Sequence, residues 1–245
     1  MVEETLQKVI GASRAKVKML KSNFLSFFIL SVMAGIYIGF GIVLIFTIGA
    51  PLKEVNIPAM KALMGASFGI ALTIVIFAGS ELFTGNNMIM TIGSLAKKVK
   101  WHQTIKLWIV CYIGNFLGSL LIAYLVFAGG LLDNTATFNF VEKVSATKMT
   151  VPFWPLVFRG ILCNMLVCLA VWMSMRAKDD TAKIFLIFWC LFAFIGSGFE
   201  HSIANMTIFG LALFGPYTAE AVSWAGCFHK PFAAYHLPAQ ATIPI

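Results

Sequence analysis

The sequence predicts an all-α integral membrane protein built as two copies of one unit, each copy carrying a transmembrane helix that is interrupted part-way. Three observations predict it. The 245 residues are 60% hydrophobic and only 11% charged, with a mean hydropathy of +0.88. A soluble domain carries about 25% charged residues because its surface must meet water, and lipid removes that requirement. Long runs without any charge recur along the chain. Two apolar regions are broken by polar segments of matching pattern, GSELFTGNNM at Gly79–Met88 and GSGFEHSIANM at Gly196–Met206. The net charge of +8 does not point to nucleic acid. The basic residues form no run interleaved with aromatics and cluster instead in the short connections between apolar stretches.

Residues 1–23 are basic and fit either an amphipathic interfacial helix with a basic face or a solvated tail. A helix that crosses the hydrocarbon takes about 20 mainly apolar residues. Phe24–Ile48 has no charge and is the first span. It is too long for the apolar core of a signal peptide and lacks a small-residue cleavage motif, so it is expected to stay in the mature protein. Ala62–Ser80 is the second span; it runs into Glu81 and continues as Leu82–Ala96. Leu107–Leu132 is the third, and Phe153–Met175, interrupted only by Arg159, the fourth. Ile184–Phe199 meets Glu200 and His201 and resumes as Ser202–Phe214, and the two pieces make the fifth.

Lysine and arginine set the orientation. Lys8, Arg14, Lys16, Lys18, Lys21, Lys97, Lys98, Lys100, Lys106, Arg176, Lys178 and Lys183 fall on the side of the N-terminus, against Lys53, Lys61, Lys143 and Lys148 on the other. The N-terminus is therefore expected in the cytoplasm. Cys111, Cys163, Cys168 and Cys190 lie in apolar stretches, where a thiol behaves as a small hydrophobe. The cysteine spacing fits neither a disulfide framework nor a metal site, and no cofactor is expected.

The breaks carry the chemistry. Both read as a glutamate followed, a few residues on, by Asn-Met, and each falls in the second long segment of its half-chain. Lipid cannot satisfy free backbone N–H and C=O groups, so a helix broken at that depth must face protein or a water-filled cavity. Paired discontinuous helices in corresponding halves point to a central substrate site, and half-helix N-termini suit an anion. Ionisable groups at that depth are costly, roughly 2.5–3.5 kcal/mol each on insertion scales, and usually face an interior or a pore. His201 stands beside Glu200 inside a break, and its imidazole can donate to a dehydrated anion or hand it a proton. Glu81 and Glu200 would repel an anion, so they are expected to turn away and bond the backbone donors of the breaks.

These motifs, with RGILCN at Arg159–Asn164, closely resemble the formate/nitrite transporter family of formate, nitrite and hydrosulfide channels, and look closest to its hydrosulfide-channel branch. The resemblance runs from about Lys21 to about Gly226. It implies an aquaporin-like, six-helix protomer with inverted repeats, set in the cytoplasmic membrane as a homopentamer with one pore per subunit. It also implies that Thr84 and His201 lie near the pore centre, that Lys148 on an external loop attracts anions to the entrance, and that Asn164 faces the pore. Phe68 and Leu72 resemble one apolar constriction, and Leu82 and Phe194 the other. Glu200 and Asn205 resemble supports for the second break. The residues alone single out the breaks and His201; Lys148 otherwise reads as a solvated loop lysine, and Phe68 and Phe194 as packing rings among 23 phenylalanines.

After Gly226 the chain reads CFHKPFAAYHLPAQATIPI, with Pro231, Pro238 and Pro244. Proline inside a helix costs about 3 kcal/mol, so the sixth helix is expected to be missing or altered. Residues 24–226 are then the channel domain and residues 227–245 an atypical non-membrane tail. The expected function is passage of small monovalent anions (hydrosulfide, formate or nitrite). A proton-coupled secondary transporter is the alternative. An intramembrane enzyme is disfavoured by the lack of H-E-x-x-H spacing or an activated nucleophile, and a purely structural subunit by the paired breaks.

Overall fold

The computed structural model describes residues 2–215, all of whose regular structure is helical. The expectations about the sixth helix and the tail at 227–245 lie outside the described residues. Among the described residues nine helices follow one another: α1 Val2–Ser22, α2 Phe24–Glu54, α3 Met60–Phe77, α4 Phe83–Leu95, α5 Trp101–Ala128, α6 Thr135–Thr150, α7 Phe153–Arg176, α8 Asp180–Gly196 and α9 Ser202–Phe214. α2, α3, α5 and α7 are long and apolar enough to cross a membrane. The expected second and fifth spans are each two helices, α3 with α4 and α8 with α9.

The halves share one plan. An amphipathic helix (α1, α6) leads into a span (α2, α7), then a helix (α3, α8), a break, and a half-helix of 13 residues (α4, α9). The first unit crosses an odd number of times before α7 begins, so the second copy runs inverted. The main-chain geometry repeats as well. Ser80 N–H donates to the Val75 carbonyl and Gly79 N–H to Ile76; at the second break Phe199 donates to Phe194 and Gly198 to Ile195. Both are paired helix-ending bonds around a left-handed glycine, Gly79 at φ 73° and Gly198 at φ 72°. A Cβ at either position meets no neighbouring atom within 4 Å, so the demand for glycine is conformational. Gly198→Ala should therefore lower stability by about 1–2 kcal/mol, read as a lowered unfolding midpoint in detergent. A midpoint equal to the native one would show that the turn relaxes freely.

Two sequence expectations change here. Of the two alternatives for the N-terminal segment, the solvated tail gives way to the amphipathic helix: Thr5, Val9, Ser13, Val17 and Leu20 form a buried face of α1, which packs on α4, α7, α2 and α5. The connection before α7 is not an open loop. Asn134 caps α6 by accepting from Ala136 and Thr137 N–H, and Phe138, Val141 and Ser145 turn one face inward against α2 and α9. Spacing of three and four residues puts those side chains on one stripe.

The interior is held by close backbone approach. α2 and α5 cross where Gly114 sits on Ser31, Gly118 on the Val32 carbonyl and Gly35 on the Asn115 carbonyl. Membrane helices gain most from such contacts, because lipid offers no hydrophobic drive to bring them together.

Candidate functional site

Each break is pinned to the span before it. Glu81 N–H donates to the Leu30 carbonyl of α2 at 3.1 Å, and Glu200 N–H to the Arg159 carbonyl of α7 at 3.4 Å. Asn115, in the middle of α5, ties the first break further. Its amide donates to the Glu81 and Ser31 carbonyls at 2.9 and 2.7 Å, while its oxygen accepts from Phe83 N–H at 2.9 Å. Sequence reading passed over Asn115; its one signal was a lone carboxamide in the otherwise apolar middle of the third span.

The carboxylates do not bond the backbone donors of the breaks, as was expected, but side chains. Glu81 accepts from Lys16 Nζ at 2.5 Å and Asn86 Nδ2 at 2.9 Å. Glu200 accepts from Lys148 Nζ at 2.6 Å and Asn205 Nδ2 at 2.9 Å. The reason is electrostatic: a buried carboxylate is stabilised best by a counter-charge together with a charge-assisted hydrogen bond. Each clamp joins the leading amphipathic helix of a unit to the half-helix after its break. Lys148 is accordingly not a free loop lysine; it is largely buried on α6 and already paired. Its partner in the first unit, Lys16, was not singled out by sequence, because 65 residues separate it from Glu81.

The breaks meet at Thr84 and His201. Thr84 Oγ1 lies 3.1 Å from His201 Nε2, both residues buried. His201 is also the N-cap of α9, its Nδ1 accepting from Ala204 N–H at 3.1 Å. With Nδ1 occupied as an acceptor, the neutral ring carries its proton on Nε2 and aims that N–H at Thr84. α4 starts one residue before Thr84 and α9 one residue after His201, so the positive ends of both half-helices converge here. His201 stacks on Phe194, with ring centroids 5.9 Å apart, and Phe194 meets Phe68 edge-on at 5.4 Å.

The four apolar residues sort differently from the expected pairs. Phe68 belongs with Phe194. Leu72 and Leu82 together line a cavity of about 340 Å³ that is also bordered by Lys16, Glu81, Asn86, Ser174 and Lys183. Facing positions on α3, α8 and the breaks decide the grouping, not sequence proximity. His201 is not among the residues that line this cavity. Asn164 does not join Thr84 and His201 through a hydrogen bond; it accepts from Asn87 and contacts Cys168, which in turn donates to the Thr84 carbonyl. Among the described residues no cluster of histidine, cysteine or carboxylate could hold a metal.

An inverted all-helical membrane fold, with two interrupted helices joined at a buried donor pair, defines a membrane transport protein. Comparison with known proteins gives the family. A family model described as Formate/nitrite transporter matches residues 3–237, further at both ends than the motifs alone reach. The nitrite transporter NirC of Escherichia coli is 44% identical over 231 residues, spanning 94% of this chain and 84% of its own. A solved FNT family ion channel superposes with a TM-score of 0.87 at 41% identity, over 94% of this chain and 90% of its own. A pentameric formate channel with formate bound superposes with a TM-score of 0.70 at 30% identity, over 79% and 76%. The chain belongs to the formate/nitrite transporter family. The relatives are transporters and channels, not enzymes.

Proposed function

We propose that this protein is a channel for small monovalent anions (hydrosulfide, formate or nitrite) in the cytoplasmic membrane, with its N-terminus in the cytoplasm. The contact between Thr84 Oγ1 and His201 Nε2 carries the reading. An anion that parts them accepts from the Nε2–H and from the threonine hydroxyl, at the point where both half-helix dipoles favour negative charge. The leucine pair Leu72 and Leu82 and the ring pair Phe68 and Phe194 flank that point as constrictions, which strip water and turn back larger or more highly charged species. Glu81, Glu200 and Asn205 hold the breaks, and the paired lysines cancel the carboxylates that would otherwise repel the ion. Lys148 therefore acts through Glu200 rather than as a free charge at the entrance, and Asn164 orders the α4–α7 contact beside Thr84.

Passive permeation is favoured over proton coupling by the role of Nδ1. A proton arriving there would displace the Ala204 N–H bond and uncap α9, so the ring serves as a fixed donor. By likeness to the pentameric formate channel, five protomers assemble, each with its own pore in residues 24–226. Purified protein in liposomes should pass formate, nitrite and hydrosulfide down their electrochemical gradients at rates well above those of empty vesicles. Uphill accumulation driven by a pH gradient would replace the channel with a coupled carrier, and flux equal to empty vesicles would remove the transport reading.

A further inference from the structure

A second pocket, of about 420 Å³, lies away from both breaks, between the end of α1 and the corner joining α4 to α5. Arg14, Lys18 and Lys21 enter it from α1, at the spacing of three, four and seven residues that puts side chains on one helical face. Lys98 comes from the corner and Gln103 from the first turn of α5. The corner is fixed by its own backbone, with Lys98 N–H bonded to the Gly93 carbonyl at 3.0 Å and Gln103 accepting from Lys100 N–H at 3.1 Å. Lys98 is thereby brought to α1 across some eighty residues of sequence.

Among the described residues the charge here is uncompensated. Lys8, Lys16, Lys148 and Lys183 form ion pairs within the chain, whereas Arg14, Lys18, Lys21 and Lys98 form none among the described residues. The chain has no Asp or Glu between Thr5 and Lys53, or between Leu82 and Leu132, so neither segment that builds the pocket can supply a counter-ion. Four exposed cations line one pocket with no carboxylate among its lining residues, a concentration of positive charge that attracts anions. The neighbouring surface gives its kind. Phe24, Leu25 and Ile29 of α2 and Trp101, Ile105 and Ile109 of α5 are exposed apolar residues, and they begin within three residues of Lys21 and Gln103 along the chain. A basic cup bordered by exposed apolar side chains, a tryptophan among them, matches a phosphate headgroup attached to acyl chains.

We propose that this pocket binds the headgroup of an anionic glycerophospholipid in the leaflet facing α1, and that the lipid fastens α1 to the α4–α5 corner. Native mass spectrometry of the detergent-purified full chain, titrated with dioleoyl-phosphatidylglycerol or dioleoyl-phosphatidylcholine, tests it. The glycerol lipid should bind at least about tenfold more tightly, given the roughly 1 kcal/mol that each basic residue near a membrane surface contributes. Arg14→Gln, Lys18→Gln, Lys21→Gln and Lys98→Gln combined should bring its affinity down to that of the choline lipid. Lys100→Gln with Lys106→Gln, exposed lysines of the same region outside the pocket, should leave it within about twofold. Equal binding of the two lipids by the native chain overturns the proposal without any variant. An equal loss in the Lys100/Lys106 pair would show diffuse surface charge instead of a site. Inorganic phosphate binding the delipidated chain as tightly as phosphatidylglycerol would assign the pocket to a soluble anion.

Discussion

Replacing Lys16 with methionine should lower stability by about 3–5 kcal/mol. The magnitude follows from what is left behind. The Glu81 side chain is only 6% exposed, against 18% for Lys16, so removing the lysine strands the more deeply buried partner. Asn86 still donates to the carboxylate, but one neutral hydrogen bond does not replace a counter-charge in a medium of low dielectric. Lys148→Met should do the same to Glu200, whose side chain is 8% exposed. The double change Lys16→Met with Glu81→Gln should recover most of the loss, because a neutral pair of similar volume leaves no charge unpaired. Unfolding midpoints of the single and double variants in one detergent decide it. A double variant no more stable than the single would mean that the lysine acts by packing alone.

The second large effect concerns transport. His201→Asn keeps an oxygen able to cap α9, since asparagine is among the best N-cap residues, and stability should stay within about 1 kcal/mol of native. The shorter side chain does not reach Thr84, and the donor that faced it is lost. A hydrogen bond to a charged group is worth about 1.5–3 kcal/mol, so anion flux in liposomes should fall roughly 10- to 100-fold. The substitution separates two duties of one ring, capping through Nδ1 and donation through Nε2. Undiminished flux through a stable His201→Asn protein would move the selective contact elsewhere.

The legible part of the molecule was the part written in hydropathy and in backbone-breaking residues. α9 begins and ends where its apolar run does, at Ser202 and Phe214, and α7 starts at Phe153 as read. Both breaks stand where glycine and a carboxylate interrupt apolar sequence, since lipid tolerates few other reasons for that pattern. What stayed hidden depends on side chains meeting across the fold. Lys16 looks like any other lysine of a basic segment until α1 docks beside Glu81. Asn115 looks like a stray amide until the Glu81 carbonyl and the Phe83 N–H arrive on either side of it. α6 escaped because its inward face is three or four residues on a largely polar helix, too faint against neighbouring spans. Leu72 and Leu82 were separated on paper, though both line one cavity, because their meeting depends on where the half-helix after the break is carried. The fold thus followed from the solvent, and the partnerships only from the fold.

The inversion also fixes the electrical character of the path. The two half-helices point the same dipole end at each other from opposite directions, and the Lys–Glu–Asn clamps are set in antiparallel copies, so the potential that favours negative charge is highest where the breaks meet and falls off alike toward either side. If the protein conducts as proposed, an ion entering from either compartment therefore meets the same order of charges.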